Sequence, residues 1–261
     1  KYRIESLAGA GGFSAVYRAE HLLWKEPVAI KFFTALGDTS DDVREQLLTD
    51  FIQEGKLMTQ LSSRSAAIVQ ARDIGKYVRD ESTWYLYMVL EWLEGEPLDR
   101  TLSRERKSGM VPRQLNEAVS LLDPVAEALN VAHKQNVAHR DLKPANVVCL
   151  GDPREMGVGV KVLDFGIAKI MGEHEELQEQ LKQTGQQITS FTPHYGAPEQ
   201  FSRTYGATGP WTDVFAMALI LVEMVRGSRA LGGSTVFDLG ASSCHQTDRP
   251  TPRLYGVETS D

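Results

Sequence analysis

The sequence has little cysteine, no excess of positive charge and no long apolar run. Its two cysteines, Cys149 and Cys244, are too few and too far apart for a disulfide framework, and no cluster of cysteine and histidine has zinc-ligand spacing. A formal net charge of -7 gives no electrostatic reason to bind nucleic acid or anionic lipid. The most apolar run, residues 214–222, is too short to span a bilayer and predicts a buried core helix instead.

These absences favour a reducing, cytoplasmic setting, either for the chain alone or for a cytoplasmic module of a membrane-attached protein. The chain opens on Lys1 without an initiator methionine and enters a strand-like pattern almost at once, which favours a domain excised from a longer protein. Hydrophobic residues make up 42% of the sequence, which is enough for a core in one large domain or in two lobes.

The first part of the chain has the pattern of a sheet with one helix. Alternating residues and turn residues between positions 2 and 36 predict an antiparallel meander. An apolar repeat of helical period predicts a helix over 41–61, and segments 68–74 and 84–92 predict two more strands. We therefore expect an N-terminal lobe, residues 1–90, of five strands and one main helix.

Beyond a predicted hinge at residues 91–97, the pattern becomes mostly helical and predicts a C-terminal lobe over 98–261. A helix is expected to start near Pro112 and to bury one face, formed by Leu115, Val119, Leu122, Ala126, Leu129 and His133. Two short strands, 147–150 and 160–163, are predicted to form a hairpin. That hairpin would place the residues that flank it, Asn146 and Asp164, at the same end.

Four polar residues near this hairpin are of the types that phosphoryl transfer requires. The transfer needs a base or orienting group for the acceptor hydroxyl, a cation near the phosphate oxygens, and oxygen ligands for magnesium. Asp141, Lys143, Asn146 and Asp164 supply these groups within 24 positions of one another. A polar turn would not by itself require these residue types at these offsets.

The segments 139–146 and 164–166 resemble the catalytic loop and the metal-binding triplet of the protein kinase family, and the resemblance covers nearly the whole chain. It implies a bilobal α+β protein kinase fold, with a small antiparallel-sheet lobe and a larger, mostly helical lobe. It also implies ATP and Mg²⁺ as cofactors, with Asp141 acting on the acceptor hydroxyl, Lys143 neutralising the γ-phosphate, and Asn146 and Asp164 holding magnesium.

The resemblance also implies an ATP pocket. The glycine-rich segment 9–14 is by itself a weak signal, because a hairpin turn without a ligand is the more common explanation of such a segment. Lys31 matches the strand lysine that holds the α- and β-phosphates, and Glu54 is its expected partner, with Glu45 as a less favoured substitute. The full set of implied ATP-pocket residues is Gly9, Gly11, Gly12, Ser14, Val16, Ala29, Lys31, Glu54, Glu91, Leu93 and Val148.

Two matches narrow the implied activity to protein serine/threonine phosphorylation. A lysine two positions after the catalytic aspartate, as Lys143 is, is typical of serine/threonine kinases, and Thr192 matches the serine/threonine signature that contacts the catalytic aspartate and lysine. The loops and Gln200 resemble bacterial members of the family. His139 is expected to be structural, packed with Phe165 above Asp213. Ala145 replaces a glutamate that reads basic residues in substrates, so no strong preference for them is implied.

A regulatory pocket is implied as well. Arg140 and Lys169 match a pair of cations that bind a phosphorylated residue of the activation loop, for which Thr184, Thr189 and Ser190 are the candidates. A competing hypothesis places Glu173 or Glu175 of an acidic run in that pocket instead of a phosphate.

Two different functions are also compatible with the sequence. A pseudokinase would keep the fold as a nucleotide-binding or scaffolding module, and a small-molecule kinase of related fold would act on another acceptor. The expected partner is a protein with a serine or threonine acceptor, which includes autophosphorylation in trans, and neither nucleic acid nor a membrane segment is expected. Only 62 residues follow Glu199, which predicts a C-terminal lobe truncated before its last helices.

Overall fold

The computed structural model describes residues 1–11, 14–33, 41–80, 84–165, 191–245 and 250–256. These residues form two compact units. The first contains the described residues up to 64 together with 69–93, and the second contains 65–68 and the described residues from 94 onward.

The first unit is an antiparallel sheet with one helix. Its sheet has the strand order β1-β2-β3-β5-β4, and its elements are β1 (Tyr2–Ala10), β2 (Ser14–His21), β3 (Pro27–Phe33), α1 (Asp41–Ser62), β4 (Ala71–Val78) and β5 (Trp84–Glu91). Alternate residues of β2, β3 and β5 meet in a buried cluster formed by Ala19, Val28, Ile30 and Val89. The five strands and one main helix are those that the alternation and the helical repeat predict.

One strand starts later than predicted. The expected strand over 68–74 begins at Ala71, because Ile68 makes an isolated parallel bridge to Val162 instead. The adjacent Ala67 carbonyl accepts the Val162 N–H at 2.7 Å. Residues 65–68 therefore belong to the second unit, where they extend the hairpin that precedes Asp164.

The second unit is mostly helical. Its elements are β6 (Glu96–Pro97), α2 (Leu98–Lys107), α3 (Leu115–His133), β7 (Val147–Cys149), β8 (Val160–Val162), α4 (Pro198–Phe201), α5 (Pro210–Arg226) and α6 (Val236–Cys244). Strands β6, β7 and β8 form a small antiparallel sheet, and α3 packs against α5. Together the two units confirm the predicted α+β fold class.

Helix α3 differs from its prediction in both its start and its buried face. It begins at Leu115 rather than near Pro112, because the Arg113 N–H donates to the carbonyl of Met224 at 3.1 Å and keeps this segment out of the helix. The buried face of the helix differs from the predicted one, because Val119 of the predicted face is 50% exposed. The buried side is formed by Ala118, Leu121, Leu122, Val125, Ala128, Leu129 and Ala132.

Helix α5 corresponds to the predicted core helix. Ile220 and Val222 are buried, whereas Val214 is 53% exposed and belongs to the outer side. The helix ends at Gly227, whose φ of 76° lies in the left-handed region that favours glycine. Among the described helices, none is long and apolar enough to cross a membrane.

Gly95 packs too closely to carry a side chain, which gives a first prediction. A Cβ at this position would lie 2.3 Å from the carbonyl oxygen of Cys149 and 3.0 Å from Cγ1 of Val148. We expect Gly95→Ala to lower the free energy of unfolding by roughly 1–3 kcal/mol, because β7 must shift to admit the methyl group. Urea denaturation measures this, with Gly232→Ala as the control because a Cβ there meets nothing within 4 Å. Equal midpoints for both variants would contradict the prediction.

Candidate active site

Asp213 holds the backbone of the predicted catalytic loop, residues 139–146, through hydrogen bonds. It lies in the first turn of α5, is 0% exposed, and its two carboxylate oxygens accept the backbone N–H groups of His139 and Arg140, each at 2.8 Å. His133 Nε2 lies 2.7 Å from the same carboxylate. Arg140 is held at a φ of 64°, a left-handed conformation that is uncommon for a residue other than glycine. The carboxylate thus stabilises a strained turn next to Asp141.

His139 connects this turn to the segment that carries Asp164. Its Nε2 lies 2.7 Å from the carbonyl oxygen of Leu163, and its Nδ1 accepts the Asp141 N–H at 3.3 Å. The buried ring also contacts the ring of Phe165, with 4.9 Å between centroids. Because both ring nitrogens are engaged within the protein, His139 has the geometry of a structural residue.

Asp141, Lys143 and Thr192 form the centre of the candidate site. Lys143 Nζ donates to Asp141 Oδ2 at 2.6 Å and to Thr192 Oγ1 at 2.9 Å. The other oxygen of Asp141, Oδ1, accepts both the backbone N–H and the hydroxyl of Thr192, each at 2.8 Å. The carboxylate is therefore oriented by a cation on one side and by a neutral residue on the other.

The two expected magnesium ligands are brought to one end of the β7–β8 hairpin. Val147 pairs with Val162, and the Leu163 N–H donates to the Asn146 carbonyl at 2.8 Å. The Asn146 side-chain nitrogen donates to the Asp141 carbonyl at 2.9 Å. Asp164, next to Leu163, has a φ of 60°. Asn146 is thus bonded to Asp141 through its side chain and to Leu163, the residue before Asp164, through its backbone.

Thr192 is followed by a tightly held loop. Residues Pro193–Tyr195 form a single 3-10 turn, and the Tyr195 hydroxyl donates to Glu223 Oε2 at 2.5 Å. Burial raises the pKa of Tyr195, and the neighbouring Glu223 carboxylate raises it further. Gln200 donates to the Arg140 carbonyl at 2.7 Å, which connects this loop to the catalytic turn.

A protein kinase domain model matches residues 2–254. The chain belongs to the protein kinase family. Among curated relatives, it is 31% identical to serine/threonine-protein kinase pkn3 of Myxococcus xanthus over 97% of this chain and 42% of that protein. It is 29% identical to a probable serine/threonine-protein kinase PknB of Corynebacterium glutamicum, over 97% of this chain and 35% of that protein. A PknB of Lactococcus lactis is 31% identical over 90% of this chain and 33% of that protein.

These findings confirm the predicted kinase fold and the similarity to bacterial serine/threonine kinases. The chain spans between about a third and two fifths of the length of these three relatives.

In the first unit, the expected ATP-pocket residues lie on neighbouring strands. Gly9 is in β1, and the Gly11 N–H donates to the Ser14 carbonyl at 2.9 Å, which closes the turn into β2. Val16 of β2 is the cross-strand partner of Lys31 in β3, and Ala29 lies two positions before Lys31. Because residues two positions apart share a face of a strand, Ala29 and Lys31 face the same side of the sheet.

The remaining expected pocket residues are dispersed. Glu54 lies in α1, and Glu91 is at the end of β5, where its N–H donates to the Gln70 carbonyl at 3.0 Å. Leu93 follows β5, while Val148 lies in β7 of the second unit. The expectations for Gly12, Lys169, Thr184, Thr189, Ser190, Glu173 and Glu175 fall outside the described residues.

Sequence reasoning misses several polar partners in this kinase domain. The helical repeat assigns His133 to an apolar face, yet it binds Asp213. Glu223 lies within the apolar α5 helix and pairs with Arg106 at 2.5 Å in addition to Tyr195. A charged residue inside an otherwise apolar helix is the signal that could have revealed these contacts, because a buried carboxylate requires partners.

The Thr192 hydroxyl gives a second prediction. It is hydrogen-bonded to both Lys143 and Asp141, whereas the Thr192 N–H would remain bonded to Asp141 in any variant. We expect Thr192→Val to lower kcat by roughly ten- to a hundredfold, since a hydrogen bond to a charged group contributes about 1.5–3 kcal/mol. Thr192→Ser keeps the hydroxyl and should retain most activity. Steady-state kinetics measure both, and equal rates for Val and Ser would contradict the assigned role.

Proposed function

We propose that this domain transfers the γ-phosphoryl group of ATP to serine or threonine hydroxyls of proteins. The observation that carries the proposal is the Asp141 carboxylate, held between Lys143 at 2.6 Å and Thr192 at 2.8 Å. A carboxylate in this arrangement can accept a hydrogen bond from an acceptor hydroxyl without having to reorganise.

Asp141 and Lys143 have complementary roles in the proposed reaction. The acceptor oxygen forms a bond to the γ-phosphorus while the bond to the β–γ bridging oxygen breaks, and the hydroxyl proton passes to Asp141. The Lys143 ammonium, 2.9 Å from Thr192 Oγ1, supplies positive charge beside the transferred group. Thr192 fixes the Asp141 and Lys143 side chains relative to each other, since its hydroxyl is hydrogen-bonded to both.

Asn146 and Asp164 fit a magnesium site by their donor chemistry. The Asn146 amide nitrogen is engaged by the Asp141 carbonyl, so its side-chain oxygen is the atom suited to a cation. The described residues contain no group of three or more His, Cys, Asp or Glu that could hold a metal ion. This agrees with magnesium sites that use one or two protein ligands together with substrate phosphates. When bound, Mg²⁺ would neutralise charge on those phosphates.

The first unit would bind the nucleotide. Lys31, which is 6% exposed, would hold the α- and β-phosphates with Glu54 as its partner, and the backbone of residues 9–14 would approach the phosphates. Val16, Ala29 and Val148 would cover the adenine, and the backbone of Glu91 and Leu93 would hydrogen-bond it. These assignments rest on membership of the kinase family.

Proteins are the proposed substrates, and autophosphorylation in trans is included. We also propose a cytoplasmic setting, with the chain as a module of a larger protein. Arg140 and Lys169 are proposed to bind a phosphate on Thr184 or Thr189, or alternatively the carboxylate of Glu173 or Glu175.

The experiment that tests the proposal measures transfer of labelled γ-phosphate to dephosphorylated casein across a Mg²⁺ titration. We expect transfer to serine and threonine, and we expect Asn146→Ala to raise the half-saturating Mg²⁺ concentration by roughly tenfold or more. Asn130→Ala, on the exposed side of α3, is the control. No transfer by the wild-type domain, or an unchanged Mg²⁺ requirement in Asn146→Ala, would contradict the proposal.

A further inference from the structure

A cavity of about 320 Å³ lies within the second unit, away from Asp141 and between α2, residues 109–112 and the end of α5. Its charged lining consists of Arg106, Arg154, Arg226, Glu105 and Glu223. Three guanidinium groups therefore face two carboxylates. The rim includes the exposed side chains of residues 110 and 111, so the cavity opens to solvent.

The two glutamates of this cavity are already paired. Glu223 is 2% exposed and is bonded by Arg106 and by the Tyr195 hydroxyl. Glu105 accepts two bonds from the buried Arg113, at 2.5 and 2.8 Å, and a third from Arg154 at 3.0 Å. Neither carboxylate is therefore available to attract a basic ligand.

Arg226 and Arg229 carry charge that no described carboxylate neutralises. Arg226 Nη1 donates to the Arg229 carbonyl at 3.2 Å, and its guanidinium lies 4.0 Å from the centre of the Tyr255 ring. Arg229 Nη1 is 2.5 Å from His194 Nε2. Because a guanidinium can only donate, His194 Nε2 is the acceptor of this bond. Burial lowers the pKa of His194, and the charge of Arg229 lowers it further. In the described residues, neither arginine forms a salt bridge.

This group of charges is connected to the catalytic centre. His194 is two residues after Thr192, which is bonded to Asp141. Two residues span at most about 7 Å, so with the His194 side chain and the two hydrogen bonds added, Arg229 is within roughly 20 Å of the Asp141 carboxylate. An extended peptide advances about 3.3 Å per residue. A substrate residue within about six positions of the acceptor can therefore reach Arg229, and residues farther along can reach the cavity.

We propose that Arg106, Arg154, Arg226 and Arg229, termed here the arginine surface, dock an acidic segment of the protein substrate. The proposal rests on the proposed kinase function and adds a substrate class to it. The four arginines exceed the two glutamates by two positive charges, although the whole chain has a net charge of -7. A glutamate-rich segment complements this excess, whereas a lysine-rich segment is repelled by it. The surface thus selects substrates by charge outside the acceptor position.

The test compares substrate peptides that differ only in the charge of one block. Each peptide has one threonine in an alanine and glycine background. A block of four glutamates or four lysines either ends four residues before this threonine or begins four residues after it. For the wild-type domain, the glutamate peptide with the higher kcat/KM should exceed the lysine peptide that has its block at the same position by about tenfold in kcat/KM. The double variant Arg226→Glu, Arg229→Glu should lose or invert this ratio. Arg203→Glu, an exposed arginine of the same unit, should keep it.

A ratio near one in wild type, or a ratio unchanged in the double variant, would overturn the docking proposal while leaving kinase function intact. If wild type phosphorylates none of the peptides, the proposed function fails instead, and a binding assay still decides docking. Fluorescence anisotropy of a labelled glutamate peptide with alanine in place of threonine should show weaker binding to the double variant. Equal binding to both proteins would reject the arginine surface. If the charge-reversed double variant does not fold, the neutral double variant Arg226→Gln, Arg229→Gln replaces it in both assays.

Discussion

Replacing Asp141 with asparagine is expected to reduce kcat by roughly 10²- to 10⁴-fold, the range for loss of a general base or orienting carboxylate. An amide can still accept the bonds of Thr192 through its oxygen, but it cannot take a proton, and its NH₂ group faces the Lys143 ammonium that Asp141 Oδ2 binds at 2.6 Å. The fold should therefore persist while the chemistry is lost.

Single-turnover phosphorylation measures this effect separately from nucleotide binding. Asp123→Asn makes the same chemical change on the exposed side of α3 and should leave the rate unchanged. Circular dichroism should show the same melting temperature for Asp141→Asn and wild type to within a few degrees. Full activity in Asp141→Asn would show that the Asp141 carboxylate is not required for the reaction.

Replacing Asp213 with alanine is expected to be the most destabilising single substitution at the site. The carboxylate is 0% exposed and accepts two backbone N–H groups of the catalytic loop, at 2.8 Å each, besides contacting His133. Each buried donor left without an acceptor costs about 1–3 kcal/mol, so the two donors predict a loss of roughly 2–6 kcal/mol in the free energy of unfolding. The released turn should also lower kcat, because Asp141 directly follows it.

Urea denaturation and initial rates measure both effects of Asp213→Ala. The matched control is Asp238→Ala at the start of α6, where a partly exposed aspartate accepts the backbone N–H groups of Ser234 and Thr235. Loss of a helix-capping side chain costs about 1 kcal/mol and should not change kcat. If Asp213→Ala and Asp238→Ala were equally stable, Asp213 would not support the loop as described.

The local parts of the fold could be predicted from the sequence. The sheet of the first unit followed from alternation in β2 and β3, and α1 from its apolar repeat, because both signals lie within one element. The phase of α3 could not be predicted. Val119 fits the helical repeat but is exposed, since the face that packs on α5 is set by a partner more than 80 residues later in the chain.

The candidate site likewise combines local features, which the sequence predicts, with long-range contacts, which it does not. Asp141, Lys143 and Asn146 are close in sequence and recognisable as a motif, and the hairpin that carries Asp164 has a readable strand pattern. The contacts that support them are long-range. Asp213 is bonded to residues 73 and 74 positions away, and Tyr195 to one 28 positions away. Such pairings depend on how α5 packs, which the sequence pattern of α5 alone does not specify.

The most direct test of the account uses wild-type domain and an affinity-tagged Asp141→Asn variant, incubated together with Mg²⁺ and ATP. The variant is recovered, and mass spectrometry maps its phosphates. We predict phosphoserine or phosphothreonine on the variant only when the wild-type domain is present, because transfer requires an intact Asp141. Phosphate on the variant incubated alone, phosphate confined to tyrosine, or none on either protein would contradict the claim that this site phosphorylates serine and threonine.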